Sequence, residues 1–213
     1  MGDLAAASPA HALLREHTRD AHDAAEATPG MHRLLAGALD EGGYRRLLAA
    51  QGALFDAWER ERADDIAAIA ATWPYVSRAT LVGADLSATP SDQPTAMSPP
   101  TAMSQPTAMS QPKAPLQPST PATPSPAFWG ELYVIEGSAL GGRVIVRRLR
   151  ELFPALPHAY YAVGEAAPGQ WRRFQQVLDQ ALPDDDSQRL AILAAQRMFA
   201  RFQCTLQDPD SHG

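Results

Sequence analysis

One cysteine, Cys204, is the whole thiol content of this 213-residue chain. An internal disulfide and a cysteine-cluster metal site are therefore both excluded. Long apolar runs are missing too. No stretch approaches the ~18 uninterrupted apolar residues that a membrane-crossing helix needs, so no membrane association is expected. Residues Met1 to Ala10 carry Asp3 and no basic segment leading into an apolar one, which argues against a signal peptide. A basic surplus is absent as well: 18 Lys and Arg face 24 Asp and Glu, a net charge of −6. Nucleic acid is accordingly not expected as a partner, because phosphate binding draws on excess cationic side chains. No Gly-x-Gly-x-x-Gly appears, so the chain carries no dinucleotide fingerprint of its own. These absences leave a cytoplasmic protein as the expectation.

What is present is helical. One segment stands apart, from about Ser87 to Ser125, dominated by Pro, Thr, Ser, Gln and Ala. Within it Pro94–Ser98 recurs at Pro100–Ser104 and Pro106–Ser110, a period of six. Such composition cannot bury enough apolar area to offset ordering entropy, so a disordered loop at 87–125 is expected, inserted into one domain. Elsewhere the apolar spacing predicts helices over Leu13–Ala27, Met31–Leu39, Tyr44 to about Ala71, Ser125 to Phe153, Gly169–Leu182 and Ser187–Gln207. Trp73 to Leu86 reads as helix mixed with turn. In the last helix the stripe Leu190, Leu193, Ala194, Met198, Phe199, Phe202 and Leu206 is expected to face inward. The expected architecture is all-α: a helical domain over 13–207, with flexible ends at 1–12 and 208–213.

His22 sits inside the first predicted helix. At 100° per residue, Arg15 lies about 20° off the same stripe and Glu26 about 40° off. Arg15 and His22 are separated by roughly 10 Å along the axis, about the reach from a porphyrin iron to a propionate. A neutral imidazole suits iron, and a nearby carboxylate fixes its tautomer. His11, His17, His32 and His158 remain competing candidates on geometry alone, and a histidine on a helix is often only a surface residue.

Leu132 to Ile145 is the second informative stretch. Gly137 and Gly141 share a face, as do Ser138 and Gly142. Each glycine inside a helix costs about 1 kcal/mol relative to alanine, so their clustering needs a reason. Close helix packing through a small-residue patch is one reason. A flat ligand lying against the helix backbone is the other.

The run Leu14-Arg-Glu-His-Thr-Arg-Asp-Ala-His-Asp-Ala-Ala-Glu26 resembles the proximal-helix signature of heme oxygenases. Tyr133-Val-Ile-Glu-Gly-Ser-Ala-Leu-Gly-Gly142 resembles their distal-helix signature, especially in the bacterial branch associated with bacteriophytochromes. A weaker match is Ala195 to Phe202, where the family places an aromatic near the heme, here Phe199. The resemblance spans about Leu13 to Leu206 without the repeat segment. It implies a heme-oxygenase-like helical bundle with His22 as iron ligand, Glu26 as its carboxylate partner and Arg15 at a propionate. It further implies Gly137, Ser138, Gly141 and Gly142 on the distal side, with Tyr133 and either Arg172 or Arg173 at the heme. Ser138 stands where other members have an aspartate that orders distal water, which leaves open how that water is anchored.

By this resemblance heme is both cofactor and substrate, cleaved with O2 to biliverdin, CO and ferrous iron. Electrons come from outside, from a ferredoxin or another small reductant, which Arg143, Arg147, Arg148 and Arg150 could dock. A bacteriophytochrome would be a fitting biliverdin acceptor. A helical protein that binds heme or bilin without turnover is an alternative. A non-heme di-metal oxidase of the same fold is another, although no Glu-x-x-His occurs and Leu190 to Gln207 holds no Asp or Glu.

Overall fold

The computed structural model describes residues 8–88, 123–165 and 169–207. Within them the chain forms ten α-helices, one 3-10 turn and no strand. The helices are α1 (Ala10–His17), α2 (Arg19–Glu26), α3 (Pro29–Ala36), α4 (Glu41–Glu61), α5 (Ala63–Ile69) and α6 (Arg78–Ser87). After residues 89–122, outside the described set, follow α7 (Pro126–Leu152), α8 (Ala159–Ala162), α9 (Gln170–Ala181) and α10 (Asp185–Thr205). The loop expected at 87–125 therefore falls mostly outside the described residues. Its flanks do not: Ser87 closes α6, and Ser125 caps α7. The C-terminal tail 208–213 also lies outside, while the expected N-terminal tail is helical from Ala10 onward.

Local chemistry explains most boundaries. Ser125 accepts the Phe128 N–H and Pro126 opens α7, combining a side-chain cap with a pre-set φ. Asp184 and Ser187 form a reciprocal capping box at the start of α10. Gly37, at φ 69°, takes the left-handed position that ends α3. The helix expected over Leu13–Ala27 is instead broken in two. Thr18 leaves helical geometry, and its hydroxyl donates to the Leu14 carbonyl at 2.7 Å, a local bond that competes with the backbone ladder. The long helix expected from Tyr44 to about Ala71 likewise breaks, at Arg62.

Helices α7 and α10 form the central pair and pack most extensively. Their crossing is close: a Cβ on Gly130 would stand 2.0 Å from the Ala191 carbonyl oxygen. This contact sets the register of α10. Ala191, Ala194 and Ala195 turn inward with Met198, Phe199 and Phe202, whereas Leu190 and Leu193 are 49% and 47% exposed. The expected inward placement of those two leucines is thus overturned, because the crossing has room only for alanine. Helix α4 behaves as its apolar spacing dictates, with Leu47, Leu48, Gln51, Leu54, Phe55 and Trp58 buried. Burying each of the apolar ones contributes about 1.5–3 kcal/mol. No helix among the described residues is long and apolar enough to cross a membrane.

One ion pair lies inside this core. Arg78 of α6 and Glu136 of α7 meet at 3.0 Å with side chains 3% and 6% exposed, and the Trp73 indole N–H also donates to Glu136. Removing one partner would strand the other charge in a medium that solvates it poorly.

Candidate functional site

Helix α2 is held on α10 by its backbone. Gln203 donates to the Ala21 carbonyl, and just ahead of α2 the last carbonyl of α1, His17, accepts from Gln196, each at 3.0 Å. Ala25 is the one residue α2 buries, so its remaining faces are uncovered. His22 is among them, with its side chain 54% exposed. Its Nε2 lies 3.7 Å from Glu26 Oε1 and its Nδ1 lies 3.7 Å from Asp23 Oδ1. The edge of Phe199, from α10, meets the imidazole at 5.8 Å between centroids. A carboxylate beside either ring nitrogen allows one nitrogen to be held while the other ligates. Sequence reasoning did not single out Asp23, because it sits beside His22 rather than one turn away.

Helix α7 also rests on α10 and presents a stripe at helical spacing: Tyr133, Gly137, Gly141 and Val144. A Cβ at Gly141 would meet nothing within 4 Å, and Val144 is 67% exposed. Gly137 differs. The Trp171 ring lies 3.5 Å from where its Cβ would be, and the same ring packs on Tyr133 at 5.5 Å. Gly142 turns the other way, and a Cβ there would stand 2.8 Å from the Tyr161 carbonyl oxygen. The two explanations for the glycines therefore divide between positions: packing accounts for Gly142, and open backbone surface remains at Gly141.

Tyr133 of α7 lies near the Thr18 break. Burial raises the pKa of the Tyr133 hydroxyl, and the neighbouring Thr18 hydroxyl and Arg15 charge moderate the rise. The structure thus gathers Arg15, Tyr133 and Trp171 at one end, and His22, Glu26 and Phe199 on the α2–α10 side. Arg172 and Arg173 are both exposed on α9, and nothing separates them. Ser138 is half-buried and donates to the Ile135 carbonyl at 2.7 Å. It also lies near the buried Tyr160 hydroxyl, whose pKa it lowers against the larger effect of burial, a neighbour that spacing could not reveal because α8 is only four residues long.

These residues suit an iron porphyrin. An exposed imidazole with carboxylates at hand, a cation, edge aromatics and an uncovered glycine and valine surface match the ligand, charge and faces of heme. Among the described residues no group of three His, Cys, Asp or Glu could hold a metal ion, so the di-metal alternative has no ligand set there.

Fold and site together define an all-helical protein whose two helices α2 and α7 both rest on α10. The family model described as "Heme oxygenase" matches residues 8–208, and the chain belongs to the heme oxygenase family. It is similar to the "Heme oxygenase" of Xanthomonas campestris pv. campestris (strain 8004), at 52% identity over 82 residues. That match covers 38% of this chain and spans half the length of the relative.

Proposed function

We propose that this protein cleaves heme oxidatively to biliverdin, CO and ferrous iron, using O2 and external electrons. The observation that carries the reading is the exposed His22 imidazole, flanked by Glu26 and Asp23, on a helix that shares α10 with the open Gly141 stripe of α7. Bound heme supplies the redox chemistry and is itself the substrate. The chain's residues do the rest. His22 would ligate the iron through one ring nitrogen, with Glu26 or Asp23 placed to orient the ring through the other. Arg15 and Tyr133, with Arg172 or Arg173, orient the propionates by charge and hydrogen bonding. The bare backbone at Gly141 would permit close approach of the bound group to α7, and Trp171 beside Gly137 would narrow that approach on one side. Ser138, a hydroxyl where an acid could stand, would order water there without delivering a proton directly.

The partners and setting belong to the same proposal. A ferredoxin or similar small acidic reductant would dock on the arginines of α7. Arg148 pairs with Glu151 and Arg150 with Glu165, while Arg143 and Arg147 have no carboxylate within ion-pair distance among the described residues, so these two leave their charge available to a partner. A bacteriophytochrome would accept the biliverdin, a reading supported by the likeness of Tyr133–Gly142 to that bacterial branch. A reducing cytoplasmic setting agrees with the lone Cys204.

The test is an absorption spectrum with hemin and then reductant. A Soret band that decays to a biliverdin spectrum supports the proposal. A stable band leaves a heme-binding protein without turnover, and no band at all defeats both.

A further inference from the structure

A cavity of about 350 Å3 lies on the face of α7 next to the glycine stripe. Glu136, Leu140 and Arg143 contribute from α7, and Arg78 from α6. Trp73, Trp171 and Phe174 make the aromatic wall: Phe174 meets Trp73 edge-on at 5.0 Å and stacks with Trp171 at 5.6 Å. This volume and character are typical of pockets for small organic molecules.

The charges on the wall do not cancel. Glu136 is already engaged by Arg78 at 3.0 Å and by the Trp73 indole at 3.2 Å. Arg143 uses its Nε on the Gly164 carbonyl, and its charge has no carboxylate partner on the cavity wall. One positive charge is left over. Arg78 adds a second signal. It is 2% exposed, its Nη1 donates to the Val76 carbonyl and its Nη2 to Glu136. Its Nε is buried and has no acceptor among the described residues. An unpaired buried donor on a charged group is costly, and native structures seldom leave one without an occupant to receive it.

We propose that this cavity binds a small aromatic carboxylate, with its ring against Trp73, Trp171 and Phe174 and its carboxylate on Arg78 and Arg143. The aromatic wall selects a flat ring, and the surplus cation selects an anion over a neutral molecule of the same shape. Trp171 lines this cavity and also abuts Gly137, so an occupant fixes the indole that borders the α7 stripe. The proposal does not depend on heme turnover, and its test is read without heme.

The experiment titrates benzoate into the full-length protein carrying nitrogen-labelled tryptophan and follows the four indole signals. Those of Trp73 and Trp171 shift saturably, while Trp58 and Trp129, which do not line the cavity, stay in place. Arg143→Gln weakens benzoate about tenfold, the scale of one charge-assisted hydrogen bond. Benzamide, its neutral counterpart, gives no saturable shift, and Ala162→Phe, which fills the cavity, abolishes binding. The proposal is overturned if neither Trp73 nor Trp171 responds, which would leave water as the occupant. It is equally overturned if benzamide binds as well as benzoate, or if Arg143→Gln changes nothing. Should Ala162→Phe fail to fold, the Arg143→Gln and benzamide results decide alone.

Discussion

The role proposed for His22 rests on its surroundings as well as on the motif that carries it. Its ring is exposed, its two nitrogens face different carboxylates at 3.7 Å, and Phe199 limits its tilt. His22→Ala is expected to remove the imidazole-iron spectrum and turnover with bound hemin; coordination that survives would place the ligand elsewhere. Glu26→Gln is expected to keep coordination but weaken heme affinity about tenfold, the lower end of what losing such a partner costs at metal sites. The glycines separate in the same way. Gly142→Ala puts a Cβ 2.8 Å from a carbonyl oxygen of Tyr161 that cannot move freely. It should lower unfolding stability by about 1–3 kcal/mol. Gly141→Ala meets nothing, so it should raise stability by up to about 1 kcal/mol while reducing hemin affinity. Chemical denaturation and hemin titration of the two variants check this, and equal stability changes would defeat the distinction.

At the scale of the element, what could be read in advance was whatever neighbouring residues decide. Ser125-Pro126 announced the start of α7 because cap and proline act within one turn, and the α4 stripe announced its buried face. The break at Thr18 was hidden because a single hydroxyl bond to Leu14 produces it. The register of α10 was hidden because Gly130, some sixty residues earlier in the chain, sets it. His22, Glu26, Arg15 and the α7 glycines were legible as types and spacings. Asp23 was not, because it sits beside His22 rather than one turn away, and Trp171 and Tyr160 were not, since only the packing of α9 and α8 brings them near α7. Helix α8 is the clearest case of long-range dependence. Its first two described N–H groups, of Ala159 and Tyr160, donate to the Asp85 carboxylate at 2.8 and 2.9 Å, from more than seventy residues away. Asp85 is 3% exposed, so these bonds are sheltered from water. Asp85→Ala is expected to cost about 3 kcal/mol, two charge-assisted bonds less relaxation. Amide exchange at Ala159 and Tyr160 should quicken well beyond that in α4, and protection equal to wild type would show that α8 holds without its cap.

For the whole molecule, the buried phenols and one imidazole set the pH range of stability. Burial raises the pKa of Tyr44, Tyr75 and Tyr160 far above the ordinary tyrosine value and pushes Tyr161 up to about 12. In the unfolded chain these groups ionise near pH 10. A folded pKa above the unfolded one gives stability that is complete below pH ~10 and is lost as pH rises through the folded value. His158 works at the other end. It is held between the Tyr44 hydroxyl and the Phe153 carbonyl, and burial lowers its pKa. Its contribution is therefore present above the unfolded value of ~6.5 and declines as pH falls. Stability should be flat between these limits and fall on both sides. Tyr161→Phe isolates one member of the alkaline group. It forfeits the hydrogen bond from Gln51 at 2.9 Å, lowering stability at neutral pH. It also removes one ionisation, so the alkaline limb between about pH 10 and 12 should be shallower by roughly 1.4 kcal/mol per pH unit. Urea unfolding midpoints across pH, for wild type and Tyr161→Phe, measure both effects. An unchanged alkaline slope would mean that Tyr161 ionises without unfolding the chain, so that the phenols beneath α7 and α8 do not hold the structure together at high pH.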